Sequence, residues 1–355
     1  MNKLRIGFLS TAGIGKKNWK AIFHSGNCTV TAVASRDADK SRKFIDECSQ
    51  AAAFETKPVA LGSYEELIAS KNVDAVYIPL PTALRKEWVI RAANAGKHIV
   101  CEKPCAVSAA DLDEMLAACR KNRVQFLDGV MFMHSRRLAR VWEALDDGKS
   151  VGEIRRITSQ FSFLGRENFF QENIRANAAL EPAGCLGDLG WYDIRFTLWA
   201  VNWQMPREIS ARLLAQTPDG VPTDFSAELI FDGGISAAMY CSFINFRQQL
   251  IHVSGTKGYL QISDFVNPFY GDEIAFETTN IGQDGFKVLP ETRRIAVAEH
   301  ANNHPTAQES NMFRNFANQV SSGKLNDEWP MWSAKTQKVL DVCLESAKCG
   351  TPIRL

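Results

Sequence analysis

The sequence has almost no net charge and no long apolar run. Its 41 basic residues balance 40 acidic ones, which gives a formal net charge of +1 over 355 residues. Proteins that bind nucleic acid or an anionic membrane surface usually carry a marked excess of positive charge, so we expect neither partner. No apolar stretch approaches the roughly 18 residues of a membrane-spanning helix. These absences favour a small molecule as the partner.

The cysteines lack the spacing of a disulfide framework or a metal site. There are nine, an odd number that cannot all pair, and no Cys-x-x-Cys motif is repeated. Cys101 and Cys105 lie close in sequence, but no histidines accompany them at metal-ligand spacing. We therefore expect no metal, reduced thiols and a cytoplasmic location. Internal repeats, low-complexity tracts and long linkers are missing as well.

The first 130 residues alternate short apolar runs with longer amphipathic stretches. The runs predict strands and the stretches predict helices, an order typical of βαβ crossovers in a doubly wound parallel sheet. The predicted strands are Leu4 to Ser10, Val30 to Ser35, Asp74 to Ile78, His98 to Cys101 and Gln125 to Leu127, and the predicted helices include Ala38 to Ala51, Lys86 to Ala95 and Ala109 to Lys121.

A different pattern follows a predicted helix that begins at Arg136. Apolar residues recur at every second position in several long segments, and glycine-rich turns at 232–234 and 255–258 separate some of them. Two helices, about Gln308 to Ser321 and Ser333 to Lys348, close the chain. The expected fold is α/β: residues 1–130 form a domain on the parallel sheet, and residues 131–355 form an α+β domain on a largely antiparallel open sheet.

The turn after the first predicted strand resembles a reduced dinucleotide-binding fingerprint. It reads Ser10-Thr11-Ala12-Gly13-Ile14-Gly15, with Ser10 and Ala12 at two of the three usual glycine positions. Small side chains still let a diphosphate approach the N–H groups at a helix N-terminus. The residues alone leave two readings open, a Rossmann domain that binds NAD(P) and a plain strand–turn–helix.

The end of the second predicted strand bears on the choice of cofactor. Ser35 and Arg36 suit the 2′-phosphate of NADP, and Lys40 adds positive charge one helical turn later. Asp37 stands one place after the position where NAD-specific folds put a carboxylate for the ribose. NADP is therefore favoured and NAD is the alternative, while Arg36 as a merely solvated side chain is also left open.

Two further motifs follow neighbouring predicted strands at the edge where open α/β sheets bind ligands. They are Pro79-Leu80-Pro81-Thr82 and Glu102-Lys103-Pro104. Lys103 precedes a proline, which stiffens the backbone that carries its ammonium group. A solvated loop lysine is the alternative interpretation, and the position at the ligand edge favours a functional one.

In the second half, the segment Gly184 to Arg195 carries Asp188 and Tyr192 four residues apart. On a helix these two side chains would share one face. The competing interpretation is a capped helix, with Asp188 as the N-cap and Tyr192 in the core. The residues do not decide between them.

Together these motifs resemble the glucose–fructose oxidoreductase, inositol dehydrogenase and rhizopine catabolism family, abbreviated Gfo/Idh/MocA. The resemblance is carried by Leu4-Arg5-Ile6-Gly7, by the block from Ala95 to Pro104, by the Asp188 and Tyr192 segment, and by Gly255-Thr256-Lys257-Gly258. The tyrosine is similar to the glucose–fructose oxidoreductase and dihydrodiol or xylose dehydrogenase branch, since inositol dehydrogenases place histidine there. The family commonly has Asn and His where this chain has Thr82 and Arg85.

The resemblance implies an NAD(P)-dependent dehydrogenase acting on a secondary alcohol of a sugar, polyol or cyclic diol, and a homodimer or larger homo-oligomer formed through the open sheet. It implies catalytic roles for Lys103, Asp188 and Tyr192. The residues expected to line the cofactor are Ser10, Thr11, Ala12, Gly13, Ile14, Gly15, Ser35, Arg36, Lys40, Leu80, Pro81, Thr82, Glu102 and Lys103. The stretch Leu164 to Leu180, which contains Arg175, is expected to shape the substrate end. Two alternatives stay open, a non-catalytic dinucleotide sensor or scaffold and a glycosidase-like lyase that recycles tightly held NAD.

Overall fold

The computed structural model describes residues 3–269, 271–284 and 287–355. Within these ranges the strands, in chain order, are β1 (Leu4–Leu9), β2 (Cys28–Ala34), β3 (Val59–Leu61), β4 (Ala75–Ile78), β5 (His98–Cys101), β6 (Phe126–Asp128), β7 (Ile154–Leu164), β8 (Glu208–Gln216), β9 (Pro222–Ile230), β10 (Ser236–Ser242), β11 (Ile244–Gly255), β12 (Gly258–Ile262), β13 (Ile274–Asp284), β14 (Lys287–Val297) and β15 (Ile353–Arg354). The helices are α1 (Gly13–Ser25), α2 (Ala38–Ala51), α3 (Tyr64–Ala69), α4 (Thr82–Asn94), α5 (Ala109–Lys121), α6 (Arg136–Asp146), α7 (Phe169–Glu172), α8 (Trp191–Ala200), α9 (Gln308–Ser321) and α10 (Glu328–Cys349).

The described residues divide into two compact units. The first contains the chain up to His134 together with Asn302–Ala334, and the second contains Ser135–Ala301 and Lys335–Leu355. The first unit takes in the C-terminal stretch because α9 packs on α1 and α10 begins nearby in sequence. The sequence pattern led us to expect a single division, after residue 130. It did not indicate that Asn302–Ala334 would belong to the first unit.

The first unit is built on a six-stranded parallel sheet, counted over its described residues, in the order β3-β2-β1-β4-β5-β6. This is the Rossmann order, in which the direction of winding reverses between β1 and β4. All four residues of β4 are buried, as expected of a strand covered on both faces. The carboxyl ends of β1 and β4 therefore form the edge where such sheets bind ligands.

The sequence pattern predicted most elements of this unit but missed the short strand β3. β5, α2 and α5 have the predicted bounds. α4 begins at Thr82, directly after Pro81, four residues before its predicted start. β3 was not predicted, because this edge strand has only three residues, too few to show a periodic pattern.

The second unit contains a sheet whose described strands number nine, in the order β14-β13-β12-β11-β7-β10-β9-β8-β15. β7 and β10 are parallel neighbours, and the other pairs are antiparallel. On one face Ser159, Met239 and Ala227 lie side by side and are buried, beneath α8. The predicted fold class, a Rossmann sheet followed by an α+β domain on a largely antiparallel sheet, is confirmed. β13 and β14 were not predicted.

Among the described residues, no helix has both the length and the apolar character needed to cross a membrane.

Candidate functional site

The dinucleotide-type turn of the first unit ends in a helix whose N-terminus has no side-chain cap. α1 begins at Gly13, and its N-cap residue, Ala12, makes no side-chain cap hydrogen bond. Ser10 has φ 139°, a backbone conformation that usually falls to glycine. Its hydroxyl accepts a hydrogen bond from Ala12 N at 3.1 Å, which holds the turn. No side chain therefore caps this helix N-terminus, and Gly15 N is the N–H of the first turn that donates to the Ala12 carbonyl; an uncapped N-terminus of this kind can bind an anion.

Gly13 and Gly15 serve different purposes. A Cβ atom at Gly13 would meet nothing within 4 Å, so the helix N-terminus faces open space. At Gly15 it would lie 3.0 Å from the ring of Phe44 and 3.5 Å from that of Phe8. Gly15 is thus required for close packing of α1, which is the role of the third glycine in the fingerprint.

The carboxylate after β2 is already engaged. Asp37 is the N-cap of α2, and its Oδ1 accepts a hydrogen bond from Asp39 N at 2.9 Å. The Ser35 hydroxyl donates to the Asp37 carbonyl at 2.5 Å. Arg36 and Lys40 are exposed. Burial raises the pKa of the Tyr64 phenol and the positive charge of Arg36 opposes this rise, so these two side chains lie near each other.

A buried hydrogen-bond network supports the loop after β5. The Tyr77 hydroxyl donates to Glu102 Oε1 at 2.7 Å, and Asn18 Nδ2 donates to Tyr77 Oη at 2.6 Å and to Glu102 Oε1 at 3.2 Å. Burial, and then the Glu102 charge, raise the pKa of Tyr77 well above its usual range. This network connects α1 and β4 to Glu102, the residue before Lys103. The peptide bond between Lys103 and Pro104 is cis.

A buried arginine joins the two predicted ligand-edge loops. Arg85, only 5% exposed, donates from Nε to the Leu80 carbonyl at 2.7 Å and from Nη1 to Thr82 Oγ1 at 3.1 Å. Nη1 also donates to the Pro104 carbonyl. Sequence reasoning noted Arg85 only as a departure from the family and missed this role. Its place on α4, three residues after Thr82, was the available signal.

Asp188 and Tyr192 lie on the second unit, where a π-helical turn leads into a helix. Asp188 belongs to the turn Leu186–Gly190, and Tyr192 is the second residue of α8. Asp188 is therefore not the N-cap, and the two residues are not separated by a regular α-helical turn. Tyr192 is 6% exposed, and its ring packs edge-on against Phe161 at a centroid distance of 5.6 Å.

The structure gives Asp188 a partner that sequence reasoning did not assign. Nε of Arg175 donates to Oδ2 of Asp188 at 2.8 Å. The Asp188 side chain is 14% exposed and that of Arg175 is 45% exposed. Because an isolated carboxylate is costly to desolvate, this ion pair permits Asp188 to be largely buried. Arg175 lies thirteen residues upstream on an irregular segment, so no periodic pattern points to it.

Asp193, next to Tyr192, faces the interior. It is fully buried, and burial raises the pKa of its carboxyl well above the usual range, although the Ser159 hydroxyl opposes the rise. Ionisation of Asp193 is therefore disfavoured in the folded protein.

Comparisons with known protein families match both parts of the chain. Residues 4–129 match the model of an oxidoreductase family with an NAD-binding Rossmann fold, and residues 138–261 match the model of the GFO/IDH/MocA C-terminal domain. Similar proteins include a D-xylose 1-dehydrogenase (NADP(+)) of Haloferax volcanii, 29% identical over 99% of this chain and 100% of the relative. The trans-1,2-dihydrobenzene-1,2-diol dehydrogenase of Mus musculus is 30% identical over 79% of this chain and 82% of the relative.

Solved structures give the same picture of the fold. KijD10, a 3-ketoreductase from Actinomadura kijaniata in complex with NADP and TDP-benzene, superposes with a TM-score of 0.84 at 25% identity, covering 97% of this chain and 98% of that one. The aldose–aldose oxidoreductase of Caulobacter crescentus superposes with a TM-score of 0.83 at 21% identity over 100% of both chains. The second likeness is one of fold alone.

Proposed function

This chain belongs to the Gfo/Idh/MocA family of oxidoreductases, and from that premise we propose that it transfers a hydride between NADP and a secondary alcohol of a sugar, polyol or cyclic diol. In the oxidative direction the alcohol loses a hydride from carbon and a proton from oxygen, and becomes a ketone or lactone. When bound, NADP+ would supply the acceptor for that hydride. The xylose and dihydrodiol dehydrogenases among the relatives support a substrate with vicinal hydroxyls.

The observation that carries this proposal is the first turn of α1. An uncapped helix N-terminus, open space at Gly13 and close packing at Gly15 together fit the diphosphate of a dinucleotide. Asp37 is engaged in capping α2, while the side chains of Arg36 and Lys40 are exposed beside it. This arrangement favours a 2′-phosphate over a free ribose hydroxyl and therefore favours NADP over NAD.

We assign three residues to proton handling. The nicotinamide supplies only the hydride acceptor or donor. Tyr192 removes the hydroxyl proton in the oxidative direction and returns it in the reductive one. By the family resemblance, Lys103 is the residue that hydrogen-bonds the substrate hydroxyl. Asp188 orients a neighbouring hydroxyl of the substrate. Glu102 and the loop Leu80–Thr82 hold the cofactor.

Turnover by two variants tests these roles. Tyr192→Phe and Lys103→Ala should each remove most turnover, whereas dinucleotide binding, followed by quenching of tryptophan fluorescence, stays largely intact. Tyr259→Phe, a tyrosine of β12 outside these motifs, is the matched control and should keep normal turnover. The substrates are a panel of aldoses, polyols and cyclic diols with NADP+ and with NAD+. Near-normal turnover in both active-site variants would refute the assignment.

Other outcomes of the same panel point to other functions. Cofactor binding without turnover on any substrate would indicate a sensor or scaffold. Release of free sugar without net NADPH would indicate a lyase that recycles its nucleotide. Equal quenching by NADH and NADPH would contradict the roles of Ser35 and Arg36.

We also propose a homodimer or larger homo-oligomer formed through the outer face of the second sheet. This face carries two lateral rows, one of Thr158, Ala238, Glu228 and Ser210 and one of Gln160, Tyr240, Ser226 and Arg212. Arg156 pairs with Glu228 beside these rows. Sedimentation of the wild type and of Tyr240→Arg tests the proposal, because a bulky cation in a buried interface should dissociate the oligomer. All nine cysteines are free thiols, which supports a reducing compartment such as the cytoplasm.

A further inference from the structure

Arg175 belongs to a charged cluster on the second unit that also contains Asp188 and Tyr192. The negative charge of Asp188 raises the pKa of the Arg175 guanidinium, burial opposes the rise, and Glu181 and then Tyr192 add to it. Glu181 and Tyr192 therefore lie within electrostatic reach of Arg175. Asp193 faces the interior, where burial disfavours its charged form.

The local backbone holds Arg175 toward this cluster. Asn173 begins the short 3₁₀ helix Ile174–Ala176, and its Oδ1 accepts a hydrogen bond from Arg175 N at 3.0 Å. Downstream, Oδ1 of Asn177 accepts from Ala179 N at 3.0 Å and from Leu180 N at 3.1 Å. Two asparagine side chains thus fix the segment on either side of the arginine. These are Asx-type turns, which set the local course of the backbone.

We infer that Arg175 is a positioning residue of the proposed dehydrogenase: its guanidinium orients Asp188 and offsets the carboxylate charge, so that Tyr192 can lose its proton and serve as the base. This inference rests on the proposed function. Arg175 is not assigned a contact with the reacting atoms.

The physical reason is the position of Asp188 four residues before Tyr192. A carboxylate charge near a phenol disfavours the phenolate, because like charges disfavour ionisation. Arg175 replaces that repulsion with a nearly neutral pair and places a cation within reach of the phenol. The guanidinium is 45% exposed, so solvent and salt weaken the effect. We expect loss of the cation to make ionisation of Tyr192 less favourable.

The experiment measures the ionisation of Tyr192 without any turnover. For the wild type and for each variant, tyrosinate absorbance is measured against pH in the full-length protein. The curve of the same protein with Tyr192→Phe added is then subtracted, which leaves the signal of Tyr192. The variants are Arg175→Gln, Arg175→Lys and the double variant Arg175→Gln with Asp188→Asn. Arg166→Gln is the control, since Arg166 is an exposed arginine of the same segment. The pH profile of kcat for alcohol oxidation is recorded in parallel.

Arg175→Gln should move the Tyr192 midpoint upward and shift the kcat profile in the same direction. Arg175→Lys should restore most of the midpoint, because the positive charge is kept. The double variant should return toward the wild type, because the repulsion from Asp188 is gone, and Arg166→Gln should have no effect. A merely structural role for Arg175 does not predict this pattern.

An unchanged midpoint in Arg175→Gln would overturn the inference, whatever happens to turnover. An unchanged midpoint with a raised KM for anionic substrates alone would overturn it in favour of an arginine that binds the substrate. If Arg175→Gln shifts the Tyr192 midpoint but the wild-type protein turns over no substrate, the electrostatic coupling is supported and the proposed function is refuted. The failure of the inference and the failure of the proposed function are therefore distinguishable.

Discussion

Glu299 should make the stability of the second unit fall as the pH rises. The side chain is fully buried after β14, and Oε2 accepts hydrogen bonds from Arg136 N and from the Ser135 hydroxyl at the start of α6. Burial raises the pKa of this carboxyl from 4.5 to about 7, although these hydrogen bonds and the charges of Arg137 and Arg136 oppose the rise. Ionisation of Glu299 is therefore less favourable in the folded protein than in the unfolded chain.

The magnitude follows from the size of this shift. The folded state binds the proton more tightly than the unfolded chain, so the free energy of unfolding falls as the pH rises from about 4.5 to about 7. Each pKa unit corresponds to about 1.4 kcal/mol, which gives a loss of roughly 2 to 3 kcal/mol between about pH 5 and pH 8. Above that range the loss is complete.

Glu299→Gln should remove this loss. A glutamine carbonyl can accept the same two hydrogen bonds and does not titrate. Burial of the glutamine amide group costs a similar free energy at every pH, so this cost cancels when the stabilities at the two pH values are compared. Urea denaturation near pH 5 and pH 8, followed by tryptophan fluorescence, should show a pH dependence about 2 kcal/mol smaller in the variant than in the wild type. Glu291→Gln, at an exposed position of β14, is the control. If the wild type and Glu299→Gln lose stability in parallel over this range, the reasoning is refuted.

Three other substitutions give separate tests. Arg85→Ala should destabilise the first unit by roughly 3 kcal/mol, measured by urea denaturation, because three buried acceptors lose their donor; a cost under about 1 kcal/mol would contradict the role of this arginine. Asp193→Asn should not lower stability at neutral pH in the same assay, because burial disfavours the charged carboxylate at this position, and a large loss would show that its charge is needed. Gly13→Ala should weaken NADPH binding, measured by fluorescence titration, with little effect on stability, whereas Gly15→Ala should cost about 1 to 3 kcal/mol because its Cβ meets the ring of Phe44. Equal behaviour of the two glycine variants would refute the separate roles assigned to them.

The sequence pattern predicted the parts of the site that depend on local structure. The turn Ser10 to Gly15 and the loops at Leu80 and Lys103 were expected at the ligand edge, because each follows a short apolar strand and such strands end at one edge of a parallel sheet. The structure has β1, β4 and β5 in adjacent positions, as expected. The catalytic roles of Lys103, Asp188 and Tyr192 stay a prediction that the variants above test.

The sequence by itself determined the periodicity, and with it the fold class and most of the long helices. Tertiary structure decided which charged groups are paired and which are buried. It pairs Arg175 with Asp188 and Arg85 with two loop carbonyls. It also places the Glu299 carboxyl group against the start of α6, which lies far upstream in the sequence. Periodicity is a property of neighbouring residues, so it can be read along the chain. Pairing and burial depend on where distant segments cross, and no local pattern records that.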